Sequence, residues 1–463
     1  MKAAAPVNWR HPHHFTVVGG GLAGAALAVL LADQGHSVDL LERRAEPRGR
    51  DAGEGRSINL ALSTRGFACL EAVGVADTVR SASVAMPGRM IHDVDGATHF
   101  QPYSADRQSI FSVERRHLAT TLLDRADAHP NVTLTFGREV EAVDLDASVL
   151  TLSDTTGATS RFDAGIIVGA DGAWSAVRSA IARRSRFDFS QHHLDHGYKE
   201  LTLPAGPDGH LIEPHALHIW PRGDRMMIAL PNPDGTFTVT LFWPFEGPGS
   251  FAAVSEPDQI RDVFTSTSPD LVPLIDDLVP QYLDAPTGSL VTIRCGPWWY
   301  RDKAVLIGDA AHAIVPFYGQ GANAALEDAL LLAWHLQRVR PNIGEAFAGF
   351  SAARKPDADA LAELTLDNFV EMRDHVASPL FRARHGIEQA LGQRAPGLFR
   401  PLYSMVTFSR TPYALARRRA RAQRLMIDTG LATAVGAAAA VAGRLAWKTR
   451  AGRRRRSEAG HPR

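Results

Sequence analysis

The hydrophobic pattern of the first part of the chain alternates between short apolar runs and longer segments of helical character. Phe15–Val18 is predicted as a buried strand, and a helix is predicted from Leu22 to about Ala32. Val38–Leu41 is a second apolar run, and the alternation continues to about Arg183. Strands that alternate with helices in this way predict an α/β domain.

A strand-rich block follows, and the last third of the chain changes to a helical pattern. The predicted strands of the block are Leu217–Trp220, Met226–Leu230 and Thr236–Phe242. The turn Pro231–Gly235 predicts that the last two of them form a hairpin. Ala304–Ile307 is a further buried strand that returns the chain to the first domain, and beyond Ala322 an apolar spacing of three and four residues predicts helices.

A glycine-rich turn joins the first strand to the first helix. Gly19 permits the tight turn, Gly21 lets the backbone approach a pyrophosphate, and Gly24 lets the helix lie against the sheet. The N-terminus of that helix points its positive end at the phosphates. Glu42, at the end of the second strand, is placed to accept hydrogen bonds from ribose hydroxyls. The order of strand, turn, helix and acidic residue predicts a Rossmann-like dinucleotide site.

Two further turns carry carboxylates at strand ends. Asp171, within Gly169–Gly172, can bind backbone amides or a ribose, although this turn alone is equally typical of an ordinary strand-to-helix connection. Asp309 follows another strand and suits the hydroxyls of a ribityl chain. A glycine-rich loop that begins at Pro316 leads into a helix at Ala322. Backbone amides of such a loop can stabilise negative charge at the pyrimidine edge of a flavin.

Length and composition exclude several classes of protein. The 463 residues are enough for two domains and a large core. A formal net charge of zero and a pI of about 7.4 argue against a nucleic-acid partner. Cys69 and Cys295 belong to no CxxC pair, which indicates neither a disulfide framework nor a cysteine metal site. The first residues lack an apolar signal core, so we predict a cytoplasmic protein.

The C-terminal region is basic, with arginine runs in residues 417–424 and 453–456. Residues 430–447 are apolar but rich in Ala and Gly, and Arg444 interrupts them. The uninterrupted stretch is therefore shorter than the roughly twenty residues of a membrane span. The flanking arginines would suit an anionic membrane surface, which leaves peripheral association open. A soluble helix with a basic tail is the favoured interpretation.

The three turns, in this order, resemble those of the single-component FAD-dependent aromatic hydroxylases over roughly residues 13 to 410. The resemblance implies an α/β fold in which a Rossmann-like FAD-binding domain has an inserted antiparallel-sheet substrate domain and a helical C-terminal region. The implied ranges are 13–190 for the FAD-binding domain with part of the substrate sheet, 191–300 for the substrate-domain sheet, 301–340 for the return to the FAD domain and 341–463 for the helical region with its basic tail.

Shorter motifs narrow the resemblance to the kynurenine 3-monooxygenase family. They are Arg56–Ser63, Asp195–Leu201, His218–Gly223, Met227–Asn232, Phe237–Phe242 and Asn368–Arg373. Members of that family reduce FAD with NADPH and use O2 to convert L-kynurenine to 3-hydroxykynurenine. The flavin carries this chemistry, so the resemblance implies FAD as cofactor, NADPH as co-substrate, and neither a catalytic side chain nor a metal.

Other functions stay open at this point. A hydroxylase of another aromatic substrate is one alternative, and a non-enzymatic flavin-bound redox sensor is another. A flavin-dependent halogenase would carry a Trp-x-Trp-x-Ile-Pro motif, which Trp298 and Trp299 do not fit. The chain has no second glycine fingerprint, so the docking site of NADPH is not predicted.

The resemblance also implies a substrate pocket. Arg89 and Tyr103 match the family's partners of the kynurenine carboxylate, for which a guanidinium is the natural fork-shaped ligand. The other matching or apolar pocket positions are Asn368, Met372, Tyr403, Leu217, Met226, Ile228, Phe242, Pro316 and Phe317. Without the resemblance, Arg89 would be more typical of a solvated surface charge, and the apolar residues of ordinary core.

The predicted cofactor site combines the three turns with nearby basic residues. Its members are Gly19, Gly21, Gly24, Glu42, Arg43, Arg115, Asp171, Asp309, Gly319, Gln320, Gly321, Ala322 and Asn323. Arg115 matches a family arginine near the flavin, and its neighbour Arg116 is the alternative for that position.

Overall fold

A computed structural model of the chain describes residues 12–48, 59–104, 106–184, 186–339, 341–370, 386, 390–392, 394–395 and 399–429. The strands are β1 His14–Val18, β2 Ser37–Leu41, β3 Asn59–Leu62, β4 Val84–Met86, β5 Gly88–His92, β6 Thr98–Pro102, β7 Ile110–Glu114, β8 Val132–Thr135, β9 Glu139–Asp144, β10 Val149–Ser153, β11 Thr159–Asp163, β12 Ile166–Gly169, β13 Asp188–Leu203, β14 Leu217–Arg222, β15 Arg225–Pro231, β16 Phe237–Pro244, β17 Gly288–Gly296, β18 Trp299–Tyr300 and β19 Ala304–Leu306. The helices are α1 Leu22–Asp33, α2 Thr64–Val73, α3 Ala76–Ser81, α4 Arg115–Asp127, α5 Ala176–Arg184, α6 Pro257–Thr267, α7 Leu278–Asp284, α8 Asp309–His312, α9 Gly321–Arg338, α10 Ile343–Val370, α11 Leu402–Thr407 and α12 at residues 413–429. Short 3₁₀ turns lie at Val272–Leu274 and Pro316–Tyr318.

The first sheet forms the centre of the α/β domain. Its strand order is β18-β19-β12-β1-β2-β8, and its neighbouring strands are parallel except for β18 and β19. Helix α1 buries every residue from Ala23 to Ala32 and packs beside α4 and α9. Because helices cover the parallel strands, the strands carry continuous apolar runs rather than alternating ones. This sheet confirms the predicted Rossmann-like fold.

The second sheet has the order β17-β13-β16-β15-β14-β5-β6 and is antiparallel except for the β14–β5 pair. Strands β15 and β16 form the predicted hairpin, with Pro231 opposite Phe237. Side chains alternate between the two faces, so Trp220 and Met227 pack toward α6 and α7, whereas Met226 lies on the opposite face. Since β5 and β6 also belong to this sheet, part of the sheet comes from residues upstream of residue 190.

Two smaller sheets, of order β11-β10-β9 and β3-β7-β4, flank the larger ones among the described residues. The predicted helical region is confirmed as far as it is described, by α9, α10, α11 and α12. Helix α9 begins at Gly321, one residue before the predicted start. The residues at 430–447, Met372 and Arg56 to Ile58 lie outside the described residues. Of the helices that can be described, none combines the length and apolarity needed to cross a bilayer.

Candidate cofactor and substrate site

The glycine turn between β1 and α1 is shaped by backbone contacts at two of its glycines. Gly19 has a φ of 108°, and a β-carbon there would lie 2.3 Å from the carbonyl oxygen of Ala170. A β-carbon on Gly24 would lie 2.0 Å from the carbonyl oxygen of Gly19. Around Gly21, in contrast, a β-carbon would meet no atom within 4 Å. The turn is therefore closed against the sheet and open in front of the N-terminus of α1, where a pyrophosphate fits.

Glu42 lies beneath this turn at the end of β2. Its Oε2 atom accepts a hydrogen bond from the amide of Gly20 at 2.9 Å, and its Oε1 atom accepts one from the amide of Arg44 at 2.9 Å. These bonds fix the carboxylate beside the open space, and each oxygen keeps a lone pair for a ribose hydroxyl. The side chain of Arg43 is directed to the surface, where it pairs with Glu139 at 3.6 Å.

Asp171 and its turn face the same region. Its Oδ2 atom accepts hydrogen bonds from the amides of Ala176 and Val177 at the start of α5, at 2.8 and 3.3 Å. Its Oδ1 atom is buried and, among the described residues, makes no hydrogen bond of normal geometry. Burial raises the pKa of this carboxyl, against the hydrogen bonds that lower it. Arg178 ties the turn to the next one by donating to the carbonyl oxygens of Ala173 and Ala310.

Asp309 begins α8, and its side chain is exposed. The protein atoms that enclose its carboxyl raise its pKa, while His312 and Arg115 act to lower it. Arg115, at the start of α4, also influences the pKa of Tyr198 in the second sheet. Arg115 is therefore within electrostatic range of both the Asp309 turn and the second sheet.

In the loop before α9, the polar side chains are used in hydrogen bonds within the protein, which leaves the backbone for contacts with a cofactor. Gly319 has a φ of 63° and Gln320 precedes the first turn of α9. The buried Asn323 side chain accepts the amide of Ser63 and donates to the carbonyl oxygen of Ala61, both at 2.8 Å. Gln320 accepts a hydrogen bond from the hydroxyl of Tyr413 at 3.2 Å. Contacts from Gln320 and Asn323 to a cofactor would thus come from their backbone amides, as would those of Gly321 and Ala322.

The predicted apolar wall lies on one face of the second sheet. Met226 pairs with Phe242 across β15 and β16, and Leu217 and Ile228 share that face. Phe317 packs on Phe242 with ring centroids 5.0 Å apart, which brings the loop before α9 against the sheet. Pro316, beside it, is exposed. The structure therefore brings the predicted wall and the predicted cover together.

Arg89 lies at the other end of this wall. It is half-buried in β5 opposite Leu217, so it is not the solvated surface charge that is the more typical interpretation without the resemblance. Its guanidinium carbon lies 5.7 Å from the ring of Tyr103 and 5.5 Å from that of Tyr403, and these two rings are stacked at 4.8 Å. No ion pair with Arg89 occurs in the part of the chain that the structure describes. Leu217 and Ile228 connect this end to the Phe317 end, because both contact the two apolar clusters.

Both tyrosines are enclosed by protein. Burial raises the pKa of Tyr103 well above its usual value and also raises the pKa of Tyr403. The Tyr103 hydroxyl is close to that of Tyr403, yet within the described residues it makes no hydrogen bond of normal geometry. This hydroxyl is a buried donor at the Arg89 end of the pocket, which suits an anionic ligand group.

The helix α10 supplies a third side of the pocket. The Asn368 amide donates to the carbonyl oxygen of Phe317 at 2.7 Å, which fixes the covering loop. Met372, predicted on the same helical face, lies outside the described residues, and α10 ends at Val370.

Two aromatic residues of the pocket were not predicted. Phe369 stacks on Phe317 at 4.2 Å, and Tyr318 stacks on Tyr403 at 5.7 Å. Phe369 follows Asn368 and Tyr318 follows Phe317, so their position next to a predicted residue was the signal in the sequence that could have indicated them.

Comparison with known proteins identifies the fold and its relatives. The family model for the FAD binding domain matches residues 14–232 and 291–361, more than half of the chain. A kynurenine 3-monooxygenase of Myxococcus xanthus is 44% identical over 406 residues, which is 87% of each chain. A kynurenine 3-monooxygenase of Stenotrophomonas maltophilia is 46% identical over 417 residues, 89% of this chain and 91% of that one.

A solved structure shares the fold at lower similarity. A tetrameric form of 2-methyl-3-hydroxypyridine-5-carboxylic acid oxygenase superposes with a TM-score of 0.64 and 24% identity, covering 80% of this chain and 94% of that one. The match agrees with the α/β domain and inserted sheet described above.

Proposed function

The chain belongs to the kynurenine 3-monooxygenase family, and we propose that it hydroxylates L-kynurenine to 3-hydroxykynurenine with FAD as cofactor. NADPH supplies the reducing equivalents, and O2 supplies the inserted oxygen. FAD held in this site would supply the redox chemistry that connects NADPH and O2. The protein binds and orients the two partners and keeps water from the reacting atoms.

The cofactor half of the proposal is supported by the fit between the three turns and FAD. The open space before Gly21 suits the pyrophosphate, and the carboxylate of Glu42 beside it suits the adenosine ribose. We assign Asp309 to the ribityl hydroxyls. We assign the Oδ1 atom of Asp171, which has no hydrogen-bond partner among the described residues, to a further hydrogen-bond donor of the cofactor region. The backbone amides at the start of α9 would face the pyrimidine edge.

The substrate half rests on one observation. Arg89 is half-buried beside two stacked aromatic rings, without a counter-ion among the described residues, at the end of an apolar wall. A cation that is partly removed from water without a counter-ion is destabilising, so this arrangement suits a ligand that brings its own anion. Kynurenine does so, because its amino-acid tail carries a carboxylate at one end of an apolar ring system. Tyr103 would donate its hydroxyl to the same carboxylate.

The wall then orients the ring. With its carboxylate at Arg89, kynurenine would lie along Leu217 and Ile228 toward Phe317. Phe242, Phe317 and Phe369 would exclude water from the end of the pocket where the ring reacts. Asn368 would hold the covering loop through its bond to the Phe317 carbonyl oxygen.

Steady-state NADPH oxidation tests the proposal. The purified flavoprotein should oxidise NADPH slowly alone and much faster with L-kynurenine, whereas a close analogue without the tail carboxylate should stimulate weakly. A flavin-bound redox sensor would show no stimulation, and a hydroxylase of another substrate would respond to another aromatic compound. Either outcome would replace the proposed function.

A further inference from the structure

A chain of buried charged side chains begins at the turn that carries Asp309. The Oδ2 atom of Asp328 accepts the amide of Gly308 at 2.9 Å and contacts Nε2 of His312 at 2.5 Å. Asp328 therefore fixes both Gly308, the residue before α8, and His312, the last residue of α8. Burial acts to raise the pKa of this carboxyl, but His312 and Arg354 bring it down to about 2, so Asp328 is ionised at neutral pH.

The other end of the chain lies in the segment that carries Tyr403. Arg65, on α2, donates from Nε to the carbonyl oxygen of Val406 in α11 at 2.9 Å and from Nη2 to the carbonyl oxygen of Thr411. Its Nη1 atom donates to both carboxylate oxygens of Glu327 at 2.9 Å. Arg65 thus clamps α11, and with it the Tyr403 side of the pocket, to α9.

Arg354 joins the two halves. Glu327 and Asp328 are neighbours on α9, and Arg354 of α10 pairs with Oε2 of Glu327 at 2.9 Å and with Oδ1 of Asp328 at 2.5 Å. Its remaining nitrogen donates to the carbonyl oxygen of Ala324 at 3.1 Å. Arg65, Glu327, Asp328 and Arg354 are each at most 3% exposed. Gly308 is therefore connected to Val406 through continuous charge-assisted hydrogen bonds.

Buried ion pairs of this kind contribute little net stability to the fold. The desolvation of buried charges offsets most of their mutual attraction, and apolar residues of similar volume would stabilise the fold as well. Charged partners, unlike apolar ones, form directional hydrogen bonds, and each of these bonds fixes the position of one specific group. The groups fixed here are the turn before Asp309 and the backbone of α11.

We propose that Asp328, Arg354, Glu327 and Arg65 are positioning residues that couple FAD binding at the Gly308–Asp309 turn to the closing of the Tyr403 side of the substrate pocket. This inference rests on the proposed function, since it takes Asp309 as a flavin contact and Tyr403 as a kynurenine contact. The coupling is reciprocal: a ligand that orders one end lowers the cost of ordering the other.

The rate of FAD release from the holoenzyme, followed by the rise in flavin fluorescence without NADPH, measures the coupling. In the parent protein, saturating L-kynurenine should slow the release by about fivefold or more, the usual size of an allosteric coupling. Arg354→Lys keeps the charge but cannot reach Glu327, Asp328 and Ala324 together. It should reduce that factor severalfold, and the dissociation constant of kynurenine, read from flavin absorbance, should rise in parallel.

Two further variants separate coupling from general loosening. Arg65→Lys interrupts the series of buried ion pairs at its α11 end. It should therefore reduce the factor by which kynurenine slows FAD release, while FAD release without kynurenine stays near the parent rate. Arg417→Lys is the matched control, because Arg417 of α12 pairs with Glu363 of α10, and this ion pair is separate from the four residues named above. It should keep the full effect of kynurenine.

The outcomes are distinct. If Arg354→Lys and Arg65→Lys melt at lower temperature but FAD release is slowed by kynurenine as much as in the parent, the buried ion pairs are merely structural and the inference is wrong. If the parent releases FAD equally fast with and without kynurenine although kynurenine binds, coupling is absent and the inference is likewise wrong. If kynurenine does not bind the parent at all, the proposed function fails first.

Discussion

Removal of the Arg89 guanidinium is the most informative perturbation of the substrate site. Arg89 is half-buried in an inner strand, its guanidinium carbon lies 5.7 and 5.5 Å from two tyrosine rings, and no described residue pairs with it. In Arg89→Ala a substrate carboxylate would enter a partly desolvated pocket without a partner.

The size of the loss follows from this geometry. Two unit charges about 4 Å apart attract by about 4 kcal/mol at an effective dielectric constant of roughly 20. Leaving one member of such a desolvated pair unpaired costs about 2 to 5 kcal/mol. That free energy corresponds to roughly a thirtyfold to several-thousandfold rise in the kynurenine dissociation constant. FAD is not expected to be lost, because the turns that we assign to it lie elsewhere.

Titration of kynurenine into the flavoprotein, followed by the change in flavin absorbance, measures this constant. Arg89→Lys should recover part of the affinity, since an ammonium keeps the charge but not the two-pronged contact. Tyr103→Phe is the matched control: it keeps the stacked ring, removes one hydroxyl, and should lose about 1 kcal/mol. Unchanged kynurenine affinity in Arg89→Ala would refute the carboxylate clamp and remove the main residue-level support for the substrate.

Three further predictions concern the cofactor turn, the second sheet and the C-terminus. Gly21→Val should fold, because Gly21 is extended and a β-carbon there meets nothing within 4 Å, yet it should lose most FAD; a variant that retains flavin contradicts the cradle. Burial lowers the pKa of His218 from 6.5 to about 4, so the unfolded chain takes up its proton first as pH falls, and stability should drop by about 3 kcal/mol between those pH values. Urea unfolding of His218→Phe should lack this drop, whereas a variant of the exposed His215 should keep it. Truncation after Thr429 should leave kcat and KM unchanged, and the full-length protein should not co-sediment with anionic vesicles. If the full-length protein binds the vesicles and the truncated protein does not, residues after 429 contact a membrane surface.

The cofactor turns could be predicted because their determinants are local. Gly19, Gly24 and Glu42 follow one another within a single strand-helix-strand unit, and backbone sterics dictate glycine at the first two positions. The hairpin of β15 and β16 is local in the same sense. In each case a short stretch of sequence carries both the pattern and its reason.

The substrate site and the buried charges could not be predicted in this way. Arg65 lies 341 residues before Val406, to which it donates, and nothing in the sequence near Arg65 separates a buried clamp from a solvated charge. Likewise Arg89 reaches the pocket only because β5 joins a sheet whose strands other than β6 lie far downstream. The aromatic contacts of Phe369 and Tyr318 depend on the same long-range packing.

The fate of isotopically labelled O2 tests the central claim most directly. Flavoprotein, NADPH and L-kynurenine are incubated under labelled O2, and the product is identified by mass spectrometry and by comparison with authentic 3-hydroxykynurenine. We expect 3-hydroxykynurenine that carries one labelled oxygen atom, in an amount that matches the NADPH consumed. Oxidation of NADPH coupled only to reduction of O2 to hydrogen peroxide, with kynurenine recovered unchanged, would contradict the proposed function.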